Sequence, residues 1–196
     1  MSFQPGIIEI ILPDWIDAFI NKHPAFISSI EDRMSFVIKA SQLNVSRGTG
    51  GPFAAAIFES ESGKLLSLGV NLVTSGGLSI LHAEVLAFAL AQKKVATYDL
   101  GGANLPSHEL VSSTEPCAMC LGAIAWSGVR RVITGASDYD ARIIGFDEGP
   151  KIKNWKTELE NRGIAVICDV RREEAAKVLL DYSLQGGKIY NSREAG

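Results

Sequence analysis

Thr114-Glu115-Pro116-Cys117-Ala118-Met119-Cys120-Leu121 joins a strand-like run over residues 109–113 to an apolar helical run over residues 120–126 that stops at Gly128. Proline ahead of an apolar periodic stretch and glycine behind it are helix start and stop signals. A buried strand over residues 131–136 follows. Upstream, His82-Ala83-Glu84 opens an Ala- and Leu-rich run ending near Lys94, a strong helix pattern. Two helix starts therefore carry the residues with the most chemistry in the chain.

The reading extends outward from these two helices. Residues 53–59 and 65–73 alternate like strands around the polar turn 60–64 and predict an antiparallel hairpin, with 59–61 as a solvated acidic tip. Residues 31–45 predict an amphipathic helix, with Ser28-x-x-Glu31 as a capping box. Beyond residue 136, a short helix over 138–144, a helix face of Ile152, Trp155 and Leu159 ended by Gly163, a strand over 164–170 containing a buried Cys168, and a last helix over 175–182 complete the pattern. A helical connection between the fourth and fifth strands predicts that they run parallel. The expected fold class is α/β, a three-layer α/β/α arrangement around a mixed five-stranded sheet. One domain over 1–196 is expected, with 1–50 as an amino-terminal extension and first helix. Gly186-Gly187 loosens the chain before the tail 186–196.

Of 196 residues, 46% are apolar and 21% charged, the balance of a globular protein. The net charge of −3, without a compensating Lys/Arg stripe, argues against a nucleic-acid partner, because phosphate neutralisation supplies most affinity in such complexes. No stretch approaches a membrane span, and the apolar run 7–12 lacks the flanks of a signal peptide. Three cysteines, two of them in a Cys-x-x-Cys, fit a reducing cytoplasm better than a disulfide framework.

His-x-Glu followed by Pro-Cys-x-x-Cys is the signature of zinc deaminases. Zinc accepts imidazole nitrogen and thiolate sulfur, so His82, Cys117 and Cys120 are the expected metal ligands, leaving one tetrahedral position for water. Helix starts support the thiolates, and the ion lowers the pKa of its water to roughly 7 in favourable sites. Glu84, two residues beyond the histidine, is placed to take the water's proton and return it to the substrate. A structural zinc site and a redox pair are the alternatives, but no second Cys-x-x-Cys or His-x3-His closes such a site.

From Gly51 to Tyr190 the sequence resembles the guanine deaminases built on the cytidine deaminase fold, including members that also accept ammeline-like triazines. The resemblance is carried by Gly51-Pro52-Phe53-Ala54-Ala55-Ala56, Asn71, the two zinc motifs, Trp126-Ser127-Gly128, Ile144-Gly145-Phe146-Asp147-Glu148-Gly149-Pro150 and Ile189-Tyr190-Asn191. The zinc motifs identify only the superfamily, whereas the Gly-Phe-Asp-Glu segment and the aromatic tail point to guanine.

The resemblance implies a second catalytic carboxylate, Glu148, contacting guanine and assisting proton transfer; by itself the residue reads as an acidic turn. It implies substrate contacts from Asn71, otherwise a turn residue, and from Phe53, which reads equally as core. Trp126 reads first as core and second as pocket wall. Backbone N–H groups around Ala83 are expected to orient the ring. Tyr190 belongs to a tail that in relatives closes over the pocket, sometimes from the neighbouring subunit of a swapped homodimer; a frayed terminus is the other reading. His23 and His108 gain no functional role. The expected reaction is zinc-dependent hydrolysis of guanine to xanthine and ammonia, with ammeline as a side substrate. Adenosine in tRNA, cytosine or cytidine are the rival substrates, and a non-catalytic zinc module is the rival class.

Overall fold

The computed structural model describes residues 4–193; the outermost residues of the extension and of the tail lie outside them. Five strands, β1 (Ala54–Glu59), β2 (Leu65–Val70), β3 (His108–Thr114), β4 (Arg131–Ala136) and β5 (Ala165–Ile167), form one mixed sheet in the order β2-β1-β3-β4-β5. β1 pairs antiparallel with β2 and β3, whereas β3–β4 and β4–β5 are parallel, as expected from the helical crossover. All seven residues of β3 are buried, which is what a central strand covered on both faces requires.

One face is covered by α1 (Trp15–Asn21), α2 (Ile30–Ser46) and α8 (Arg172–Leu184), the other by α4 (Ala83–Val95), α5 (Ala118–Ser127) and α7 (Trp155–Glu160). Short helices α3 (Val73–Gly76) and α6 (Asp138–Ile143) cap the ends of β2 and β4. Met34, Val37 and Ile38 turn α2 onto the sheet. Gly69 in β2 is what lets α4 lie flush: a methyl group there would meet Ala83 O at 2.2 Å and Ala87 N at 2.6 Å. That close approach fixes where His82 and Glu84 stand.

At the opposite end of the sheet, Arg33, Glu109 and Arg131 form a buried charge cluster. Glu109 bridges the two guanidinium groups, and Arg33 also donates to the carbonyls of Ile27 (2.7 Å), Ser28 (3.0 Å) and Ser60 (3.0 Å). Such a cluster is tolerated in a core because its hydrogen-bonding groups are partnered.

Several expectations are corrected. The cap of α2 is Ser29, not Ser28: its hydroxyl accepts from Asp32 N at 3.0 Å, so the acidic partner is Asp32 rather than Glu31. The hairpin tip is not wholly solvated, because Arg33 and Arg131 draw the carbonyl of a buried Ser60 inward. Ile152 is exposed and precedes α7 instead of lying on its face. β5 spans three residues rather than seven, since Asp169 (φ 63°) and Arg171 (φ 51°) turn the chain out of extended geometry, leaving Cys168 half-buried beyond the strand. Gly186 and Gly187 close α8 tightly, with Gly187 N donating to Tyr182 O at 2.9 Å, rather than loosening the chain. Among the described residues no helix is long and apolar enough to cross a membrane.

Candidate active site

His82 and Cys117 occupy the N-cap positions of α4 and α5. Neither side chain caps its own helix; each is turned toward the other instead. His82 Nδ1 lies 3.5 Å from Cys117 Sγ and 3.7 Å from Cys120 Sγ, and the three candidate ligand atoms fall within 4.8 Å of one another. Tetrahedral zinc with ordinary Zn–N and Zn–S bond lengths separates a nitrogen and a sulfur by about 3.6 Å. The donor set and its spacing therefore fit zinc.

The thiols carry the electrostatic mark of two donors held too close for independent titration. A hydrogen bond from Cys120, opposed by burial and aided by His82, pulls the Cys117 thiol down to about 4. Cys120 moves the other way, raised by that same hydrogen bond and by burial. The His82 imidazole is held above its ordinary value: burial opposes its charge, but its bond to Cys117 and the charges of Glu84, Cys117 and Glu148 outweigh burial. A bound divalent cation ionises both thiols and takes over the neutralisation that the shared proton otherwise supplies.

Glu84, in the first turn of α4, is 7% exposed, and burial followed by the Cys117 charge raises its pKa. Glu148 is 6% exposed, and burial, Cys117 and Glu84 push it up to about 8. Two carboxyl groups thus border the same cation-ready cluster, and both have a raised affinity for protons, as an acid/base site demands.

These groups line a cavity of about 300 Å³, at the small end of the range for small-molecule sites. Phe53 and Asn71 form one wall, Phe146 and Glu148 another, and Tyr190 with Asn191 a third. The Phe53 and Phe146 rings meet edge-to-face with centroids 4.9 Å apart, and Tyr190 packs on Phe146 at 5.1 Å. Asn71 lines the cavity and also makes the turn contact expected of it, since Oδ1 accepts from Val73 N at 3.3 Å. Tyr190 is not frayed but lies against its own chain's pocket.

The Glu148 loop is tied down from several sides. Ala118 N, at the start of α5, donates to Glu148 O at 3.0 Å. Lys151, almost fully buried, bridges Glu115 (3.0 Å) and Asp138 (3.3 Å). The Asn191 amide accepts from Asp147 N and donates to Gly145 O, both at 2.9 Å. A turn so anchored can hold a carboxyl group out of water without collapsing.

One expected contact does not enter the cavity. Trp126 is 85% exposed on the outer face of α5, because Cys120, Leu121, Ile124 and Ser127 take the inner face; it is neither core nor pocket wall. The Ala83 side chain packs into the core between α4 and the sheet, so any part it takes in the cavity falls to its backbone N–H, as expected. Conversely, Phe146, Asn191 and Thr114 line the cavity without having been singled out. Phe146 and Asn191 lay inside segments that carried the resemblance. Thr114 Oγ1, buried and without a hydrogen-bond partner among the described residues, gave no signal beyond its place before Glu115-Pro116.

The family described as Cytidine and deoxycytidylate deaminase zinc-binding region matches residues 27–136. The guanine deaminase of Bacillus subtilis is 38% identical over 120 residues, 61% of this chain and 72% of that protein. A solved structure of NE0047 in complex with 2,6-diaminopurine superposes with a TM-score of 0.88 at 45% identity, covering 95% of this chain and 98% of that one. A structure of the guanine deaminase from Nitrosomonas europaea gives 0.88 at 42% identity over 93% and 100% of the two chains. The likeness therefore reaches into the amino-terminal extension, which the sequence motifs alone had left outside it.

Proposed function

The chain belongs to the cytidine and deoxycytidylate deaminase zinc-binding family, and from that premise we propose that it hydrolyses guanine to xanthine and ammonia. The observation carrying the choice of guanine is the pairing of Glu148 with Asn71 on the walls of an aromatic cavity beside the metal cluster. A carboxylate accepts from the ring N–H and amino donors of guanine, and an amide offers both a donor and an acceptor to the base edge. The relatives named guanine deaminase, at 38% and 42% identity, point the same way.

Zinc, held by His82, Cys117 and Cys120, supplies when bound the Lewis acidity that makes water a nucleophile near neutral pH. Glu84 takes a proton from the attacking water and hands it to the ring nitrogen beside the amino-bearing carbon. Glu84 then takes the second proton of that water from the new hydroxyl on the ring carbon and, with Glu148, passes it to the amine as the C–N bond breaks, so that guanine and water become xanthine and ammonia. Phe53 and Phe146, packed edge-to-face on one another, offer the base an apolar surface, and Tyr190 shields it from water.

Ammeline, whose triazine ring has a similar amino-substituted edge, is a side substrate. The functional unit is a homodimer, supported by the outer face of α5, where Met119, Gly122 and Trp126 stand exposed at helical spacing. Exchange of the tail between copies would preserve the Tyr190 contacts seen within one chain. No nucleic acid is bound, in keeping with the net charge of −3.

A substrate panel of guanine, adenine, cytosine, cytidine and ammeline on zinc-loaded protein tests the assignment. Ammonia release from guanine above all others is expected; none from guanine refutes the substrate, and none from any member refutes the enzyme.

A further inference from the structure

The first fifty residues are more than packing for the sheet. Asn44, on α2, is fully buried, and its side-chain amide is completely used. Nδ2 donates to Gly51 O at 2.8 Å and to Asn71 O at 2.9 Å, while Oδ1 accepts from Thr49 Oγ1 at 2.8 Å. Thr49 Oγ1 in turn accepts from Trp15 Nε1 at 3.1 Å. Trp15 stands at the start of α1, with its ring buried against Phe19. A continuous run of hydrogen bonds thus leads from the first helix to the two backbone carbonyls that frame the Asn71 wall of the cavity.

We propose that Asn44 is a positioning residue for the Asn71 wall, and that Thr49 and Trp15 set its amide in register, so that α1 takes part in substrate selection. The inference deepens the guanine reading and rests on it for its kinetic arm. The physical reason is directional. An amide fixed at its oxygen by Thr49 presents both N–H bonds in one plane, and the carbonyls of Gly51 and Asn71, which belong to separate segments, can both be held by it only while that plane is fixed. If the amide swings, Asn71 O loses its donor and Gly51 O keeps only Phe53 N, so the wall relaxes toward other partners.

Asn71 also reports on its own placement, because Val73 N donates to Asn71 Oδ1. Displacing Asn71 deprives that amide hydrogen of its acceptor. Amide exchange at Val73 therefore reads the wall without any reference to turnover.

The test uses Thr49→Val, which keeps shape but removes the hydroxyl; Trp15→Phe, which keeps an aromatic ring but removes the indole N–H; and Asn44→Asp, which keeps size but removes both donors. In the zinc-loaded full chain, Thr49→Val and Trp15→Phe are expected to speed Val73 exchange and to raise KM for guanine about fivefold, the worth of one hydrogen bond, with kcat moved much less. Asn44→Asp is expected to exceed both; should it fail to fold, the two milder variants decide. Thr49→Ser, which restores the hydroxyl, should return KM and exchange to the parent values. Unchanged Val73 exchange and unchanged KM in the Thr49 and Trp15 variants overturn the proposal. So does a fall in kcat at constant KM, which is the mark of a general loss of folded enzyme. If the parent chain releases no ammonia from guanine, the substrate reading falls, and faster Val73 exchange in the variants still distinguishes a positioning run from inert packing.

Discussion

Gly51 and Tyr190 leave no room for a side chain between them: a methyl group at position 51 would lie 3.0 Å from Tyr190 Cε1 and 3.2 Å from the Tyr190 hydroxyl. The same methyl group would lie 3.1 Å from Asn71 Oδ1, so it has no free direction in which to go. Gly51→Ala is expected to raise KM for guanine about tenfold, the effect of roughly 1–2 kcal/mol of overpacking. Zinc content should not change. Steady-state kinetics with metal analysis checks this, and a parent-like KM would show that the tail does not shape the binding site.

Glu84→Gln keeps the side chain's size and removes its capacity to take a proton. The variant is expected to retain zinc while kcat falls by about 10²–10⁴. Elemental analysis and ammonia release decide together, and turnover at the parent rate would remove Glu84 from the proton path.

Glu148 gives a pH dependence whose sign can be worked out. Its ordinary value is 4.5, and burial with the neighbouring negative charges raises it to about 8 in the folded chain. Between those values the unfolded chain has released a proton that the folded chain keeps, so the contribution of Glu148 to stability is complete below 4.5, declines as pH rises through the window and falls no further above about 8. Glu148→Gln should therefore gain on the parent protein between about pH 5 and pH 8 in urea unfolding and then run parallel to it. A constant difference across the whole range would mean that Glu148 ionises normally.

Arg33→Met removes one side of the buried cluster, leaves Arg131 as the one arginine for both Glu109 and Ser60 O, and takes away the Arg33 bonds to the carbonyls of Ile27 and Ser28. Breaking one partner from such a group costs about 3–5 kcal/mol. The midpoint of chemical unfolding should drop accordingly, while KM for guanine, set at the other end of the sheet, should hold.

Trp126→Glu places a charge on the exposed face of α5. The expected result is a native mass halved from that of the parent, with the stability of the single chain within about 0.5 kcal/mol, as for other exposed positions. Light scattering alongside thermal unfolding measures both. A dimer that survives this change would have to be built on another face.

Much of this arrangement is legible before any coordinates are seen. Strand β4 runs over the residues 131–136 that its apolar pattern marks out, and the two ligand-bearing helices begin where His82 and Pro116 announce them. Local chemistry governs those positions, and local chemistry is what a sequence displays. Trp126 shows the limit. Helix α5 carries Ala, Gly or Met on its outer face as well as apolar residues on its inner one, so periodicity does not tell the two apart. Asn44 shows another limit, because an amide within a helix reads as solvated until Thr49, Gly51 and Asn71 are known to converge on it. Ser60 is drawn inward by arginines 27 and 71 residues away, a relation invisible to any short window.

The ligand-bearing groups stand on helix starts pressed against a sheet, whereas Glu148 and Tyr190 stand on a seven-residue turn and a tail that no strand incorporates. The metal-ligand set and this one side of the pocket are thereby mounted on separable parts. Exchanging residues 145–151 and 188–193 between two such proteins should therefore leave the three-ligand cluster intact while remodelling that side of the pocket.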